Sequence, residues 1–172
     1  IDLGNKWLFR VRPSDAIQAE AAVKHLIDDT SAKKIGIFYS NDEMGAAGAE
    51  IARTYADANG VEYVEESHTT TDTDFTTQIL KFKEAGVDAM FIWTPLETIY
   101  ATVARQMYDL GLDVIGAGAP GLITTSSIGN MEPEWIEGWF AASDIIISNP
   151  DQNVQDFINS YKEKYGEDIY PD

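Results

Sequence analysis

Residues 88–93, DAMFIW, are apolar on both faces. A strand of this kind is covered above and below, as the central strand of a parallel sheet is. Other short apolar runs surround it. KIGIFY (34–39) runs into Ser40-Asn41-Asp42 and reads as a buried strand entering a loop. VEYVEESH (61–68) alternates and belongs nearer an edge. DVIGAG (113–118) is a fourth strand and GWFAASDIII (138–147) a fifth. Helical patterns lie between them. Residues 15–29 carry Ile17, Ala21, Ala22, Leu26 and Ile27 at one-face spacing, with Ser14 or Asp15 as N-cap behind Pro13. Residues 46–58 are alanine-rich and stop at Asn59-Gly60, a C-cap signal. Residues 75–85 carry Phe75, Ile79, Leu80 and Phe82 and stop at Gly86. Residues 98–110 carry Ile99, Val103, Met107 and Leu110 and stop at Gly111. Repeated strand–helix units with apolar strands predict an α/β fold: a doubly wound parallel sheet of about five strands with helices on both faces.

In such sheets the functional groups sit on loops at the carboxyl ends of the strands. Four loops qualify: 40–45, 68–74, 94–98 and 116–127. The last contains GAGAPG (116–121), which fits the G-x-G-x-x-G spacing of a dinucleotide-binding turn. Its context does not fit. It follows the fourth strand rather than the first, Pro120 interrupts the helix start, and no acid ends a strand about 20 residues later. The glycines are read instead as places where the backbone comes close to a small ligand or another domain.

The chain has 172 residues, enough to bury about 70% of its unfolded surface without a disulfide or a metal. It has no cysteine, which removes disulfides, thiolate metal sites and cysteine nucleophiles. The formal charge of −17, from 29 acids and 12 bases, repels phosphate backbones, so nucleic acid is excluded as a partner. The two histidines, His25 and His68, have no partners at triad or metal-ligand spacing. No catalytic triad or metal cluster is therefore expected, and no cofactor. His68 lies at a strand end, within reach of a cleft. Asp72 or Asp74 in TTTDTDF (69–75) is read as the cap of the helix that follows. No apolar run approaches the roughly 18 residues of a membrane helix. The chain opens at Ile1 rather than Met, as a processed or excised piece does. Two loops remain for recognition: SNDEMG (40–45), with Asn41, Asp42 and Met44, and WTPLET (93–98), with Thr94, Pro95 and Glu97.

Five segments occur in an order and spacing that carry a resemblance: LFRVRPSD (8–15), KKIGIFYSNDEMGAAGAE (33–50), TDTDFTTQILKFKEAGVDAMFI (71–92), GLDVIGAG (111–118) and EGWFAASD (137–144). Together they resemble the solute-binding proteins of branched-chain amino acid type ABC transporters, which have the type I periplasmic binding fold. That family has two α/β lobes with a ligand cleft between them, and the resemblance here covers the second lobe. It implies a lobe over residues 1–150, with hinge crossings near 9–13 and 144–149. Residues 151–172, with a helix from 154 to 165, would return toward the first lobe. The implied partners are a small-molecule ligand, the other lobe and the membrane permease of an ABC importer, in a periplasmic or extracellular location. A ligand-sensing domain of a receptor or regulator uses the same fold. The implied ligand contacts are Asn41, Asp42, Met44, Thr94, Pro95, Glu97, Ala117, Gly118 and Ala119. Amino-acid binders of the family offer an acid to the ligand ammonium from the loop after the fourth strand. Here no carboxylate stands between Asp113 and Glu132. Glu97 or Asp42 is then the substitute, or the ligand has no ammonium group.

Overall fold

A computed structural model describes residues 6–7, 9, 12–144 and 148–166. Five parallel strands form one sheet: β1 (Lys34–Ser40), β2 (Glu62–His68), β3 (Ala89–Trp93), β4 (Ile115–Gly118) and β5 (Phe140–Ala141), in the spatial order β2-β1-β3-β4-β5. The apolar run at 88–93 becomes the central strand, and all five residues of β3 are buried. The alternating segment becomes the edge strand β2. The fifth strand is two residues long; the expected extension over 145–147 lies outside the described residues, as do residues 10 and 11 of the first expected crossing and the tail 167–172.

Helices α1 (Asp15–Asp28) and α2 (Glu43–Asn59) pack against each other and against the sheet. Helices α3 (Thr76–Ala85) and α4 (Glu97–Asp109) cover the opposite face. The side chains sort by the pleat. Phe38 points to the α3 face, where its ring centroid lies 5.3 Å from Phe75 and 6.2 Å from Phe82. Phe91 and Trp93, two apart on β3, stack at 5.2 Å. Trp93 lies against Gly48 of α2, where a methyl group would collide with the indole ring. That contact, not chain flexibility, accounts for a glycine inside a helix.

Helix ends follow the local chemistry. Ser14 accepts the Ile17 N–H and starts α1. Gly60 and Gly86 close α2 and α3 in the left-handed conformation, at φ 66° and 70°. The apolar face of α1 is displaced from the expected one. Gln18, Ala19, Ala22, Val23, Leu26 and Ile27 are buried, whereas Ala21 is exposed and Ile17 is 60% exposed. On α3, Leu80 is likewise outside the core, at 40% exposure.

After β4 the chain makes a 3-10 turn (Pro120–Ile123), the single turn α5 (Thr125–Ile128), a second 3-10 turn (Pro133–Trp135) and β5. Helix α6 (Gln152–Tyr165) follows and buries none of its residues; Phe157 is 56% exposed. Near the two expected crossings, Arg12 Nε lies 2.6 Å from Asp144 Oδ2, and the Gln18 side-chain amide donates to Asp144 Oδ1. One carboxylate thus joins residue 12, residue 144 and α1.

Candidate functional site

The carboxyl ends of the strands bring four loops to one edge of the sheet, beginning at Asn41, Thr69, Thr94 and Ala119. The N-termini of α2 and α4 open at the same edge, because each helix runs back antiparallel to its strand. A residue at this edge reaches a ligand only if it is not consumed by the fold.

In the first loop Asn41 is exposed, and its N–H donates to His68 O at 2.8 Å, joining β1 to β2 beyond the strand ends. Asp42 is half-buried and is the N-cap of α2: Oδ1 accepts from Gly45 N at 2.8 Å and from Ser40 Oγ at 3.0 Å. One carboxylate oxygen is therefore committed to the helix. The next residue but one, Met44, is half-buried and lines a groove of about 260 Å³ with Asp15, Ala16, Glu43, Ala47, Gly48 and Ile51, between the first turns of α1 and α2.

The second loop holds itself together. Asp72 accepts from Thr69 N and Thr69 Oγ1, each at 2.7 Å, and these bonds hold its carboxyl below the usual range. Asp74, not Asp72, serves the helix that follows: it accepts from Thr76 Oγ1 at 2.6 Å and Thr76 N at 3.0 Å, which lowers its pKa as well. His68 does not line the edge. It is 2% exposed, wedged between Phe38 and Phe75, with Nδ1 2.9 Å from Thr69 O.

In the third loop Thr94 is 1% exposed and offers no surface, whereas Pro95 is exposed. Glu97 is half-buried at the first position of α4, where the helix dipole favours an anion. It lines a groove of about 230 Å³ with Thr98, Ala101, Ser126, Ser127 and Asn130. Its backbone carbonyl accepts from Ser127 Oγ at 3.2 Å, but its carboxylate has no partner among the described residues.

The fourth loop departs most from expectation. Ala117 is fully buried, Ala119 is 1% exposed and Gly118 is buried, so none of the three presents surface for a ligand. The residues of that loop reaching the surface are Pro120, Gly121 and Ile123 to Ser126, with Ile123 41% exposed. Two of the three glycines of GAGAPG are explained from inside the chain. A methyl at Gly116 would collide with the Trp139 indole, and one at Gly118 would lie 2.9 Å from Tyr100 Cε1. At Gly121 a methyl would meet only ordinary contacts, with Tyr100 Cε2 at 3.6 Å. The close approaches at Gly116 and Gly118 are to two aromatic rings of this chain.

Sequence reasoning missed Tyr100. It is fully buried, accepts from Ala119 N at 3.1 Å, and donates toward Thr94 O at 3.2 Å or Ile92 O at 3.4 Å. Burial pushes its phenol pKa up, so it remains a neutral donor. A tyrosine among the apolar positions of α4 was the available signal, since a buried phenol needs a partner.

Among the described residues no group of three His, Asp or Glu side chains is placed to hold a metal ion, and no helix is long and apolar enough to cross a membrane. Over residues 2–172 the sequence matches the family described as periplasmic binding protein. The chain belongs to that family. None of the curated proteins matches it. Among solved structures, a leucine binding protein from Thermotoga maritima is 21% identical with a TM-score of 0.83, over 98% of this chain and 48% of that one. An extracellular ligand-binding receptor from Rhodopseudomonas palustris is 26% identical, with a TM-score of 0.76 over 96% of this chain and 47% of its own. A fatty acid ABC transporter substrate-binding protein from Thermomonospora curvata is 20% identical, with a TM-score of 0.70 over 96% and 44%. The sheet and its helices have the type I periplasmic binding fold, and the chain spans about half the length of these structures. Since one matched protein is named for leucine and another for fatty acids, this fold does not dictate the ligand.

Proposed function

We propose that this chain is the second lobe of an extracytoplasmic solute-binding protein that serves an ABC importer. It captures a small polar molecule by closing with the other lobe, and it performs no catalysis. Its partners are then the ligand, that lobe and the membrane permease. The observation that carries the reading is the Glu97 carboxylate: half-buried, unpartnered among the described residues, and located at the edge of the sheet where this class of fold binds ligands. A carboxylate in that position suits a solute with an ammonium or amide N–H, which favours amino acid-like and amide ligands over organic acids. Asn41, Met44 and Pro95 supply the rest of this lobe's accessible contacts, while Asp42 contributes through its second oxygen at most.

Closure of two lobes also explains how a shallow edge becomes a site. Each lobe alone leaves the ligand in water, which competes for every hydrogen bond. A micromolar clamp corresponds to about −8 kcal/mol; an even split leaves one lobe about −4 kcal/mol, near millimolar. Calorimetric titration of amino acids, amides and organic acids tests this, on the protein carrying both lobes and on this chain alone. The expected result is tight binding of an N–H-bearing solute by the whole protein and at least about hundredfold weaker binding by the single lobe. Binding of no solute in the set by the whole protein overturns the reading. A ligand-sensing role would leave these results unchanged; it is distinguished by a signalling or DNA-binding domain on the full gene product.

A further inference from the structure

The two loops beside Glu97 are held by one side chain from beneath. The last ladder pair between the central strand and its neighbour is Ile92↔Gly118, and past it the two strands part. Parting strands leave an N–H and a carbonyl that face each other too far apart to bond directly, a costly arrangement when water is excluded. Tyr100 fills this gap. Its ring lies against Gly118 and Gly121, and its hydroxyl accepts the Ala119 N–H and donates back to the β3 end at Thr94 O or Ile92 O. The ring has room only because position 118 has no side chain. The first turn of α4 carries Glu97 on one side and Tyr100 underneath, so the same helix both presents the carboxylate and ties down the loops flanking it.

We propose that Tyr100 is a positioning residue for ligand capture: by bridging Thr94 and Ala119 it makes the third and fourth loops a single rigid wall of the cleft. The proposal rests on the cleft reading above for its ligand consequence, but the bridge itself is a property of this chain. It also gives GAGAPG a role. Gly118 and Gly121 are the seat of the Tyr100 ring, and the motif shapes the wall instead of holding a phosphate.

Tyr100→Phe keeps the ring and removes only the hydroxyl, so the core stays filled. Trp139→Phe is the control. It removes a half-buried hydrogen bond, from Trp139 Nε1 to Val114 O at 3.2 Å, at the amino end of β4. Native-state amide exchange on this chain decides the bridge. Exchange at Ala119 and at Thr94, Leu96 and Glu97 should rise at least about tenfold in Tyr100→Phe, the scale of one lost buried hydrogen bond, with β1 and α2 unchanged. In Trp139→Phe those loops should keep the wild-type exchange. Unchanged exchange at Ala119, or an equal rise throughout the chain, overturns the proposal. On the protein carrying both lobes, L-leucine serves as the probe. Tyr100→Phe should weaken its binding about tenfold, chiefly through faster dissociation, and Trp139→Phe should not. Equal weakening by both variants would make Tyr100 merely structural and also overturn the proposal. If the wild-type protein binds no solute of the set, the functional reading fails, and the exchange result still decides the bridge.

Discussion

At the scale of single residues, the edge of the sheet separates into side chains used by the fold and side chains left over. Thr94, Ala117 and Ala119 belong to the interior and Asp42 to a helix cap, whereas the Glu97 carboxylate is left over. Glu97→Gln keeps the shape and removes the charge. It should cost at least about tenfold in solute affinity, since a charge-assisted hydrogen bond is worth roughly twice a neutral one, and change stability by less than about 0.5 kcal/mol. Calorimetry on the two-lobe protein and urea denaturation of this chain measure the two quantities. A large loss of stability with unchanged affinity would make Glu97 structural. The acids of the second loop give a pH prediction. Asp74 has a lowered folded pKa, chiefly from the Thr76 hydroxyl and then its N–H. A depressed carboxyl contributes stability that is complete above the unfolded value of about 3.9 and is lost as pH falls through the lower folded value. Asn at position 74 can still accept the Thr76 N–H but does not titrate. Denaturation midpoints should therefore fall less steeply with acid in Asp74→Asn than in the wild type below about pH 4.5. Parallel curves would show that Asp74 is as free in the folded chain as in the unfolded one.

At the scale of elements, the helix starts decide which polar residues are available. Helix α2 begins three residues earlier than its alanine-rich stretch suggests, because Asp42 caps it through Gly45 N. Position 45 must be glycine because a methyl there would collide with the Ser40 carbonyl at the end of β1. The glycine lets the helix start directly over its strand, and the cap secures it. Asp42→Ala should lower stability by about 0.5–2 kcal/mol, the usual cost of an N-cap, without exposing β3. Chemical denaturation with far-UV detection measures it. A change below about 0.3 kcal/mol would release Asp42 from the cap role and return it to the list of ligand contacts. Helix α4 has no side-chain cap at its start, with Leu96 in the capping position. Its first-turn acid is Glu97, which suits the helix dipole. Gln106, three turns along, donates toward Asp74 and accepts the Phe75 N–H at 2.8 Å, which links the start of α3 to α4.

At the scale of the whole molecule, the sheet and its four covering helices form a filled core, while no residue of α6 is buried. Val154, Ile158 and Tyr161 are half-buried and Phe157 is exposed, an apolar face that seeks a partner. Sedimentation of this chain should show concentration-dependent association that disappears when residues 152–172 are deleted; a monomer in both cases would show that the face does not associate. The α/β class, the parallel sheet, the central position of 88–93, the edge position of 61–68 and the glycine helix ends were all legible in the residues. Burial pattern and backbone conformation are local consequences of side-chain chemistry. The relation to periplasmic binding proteins was legible too, because it is carried by ordered segments along the chain. What the order of residues could not reveal was which polar groups the fold consumes. Asp42 and Glu97 are both acids at the start of a helix after a strand, and only the path of the backbone makes one a cap and leaves the other without a side-chain partner among the described residues. GAGAPG read as a loop approaching a ligand, yet its neighbours are Tyr100 and Trp139, 18 or more residues away along the chain in each direction. Contacts of that range exist only once the sheet has assembled, and they determine whether a residue at the edge faces a ligand or the core.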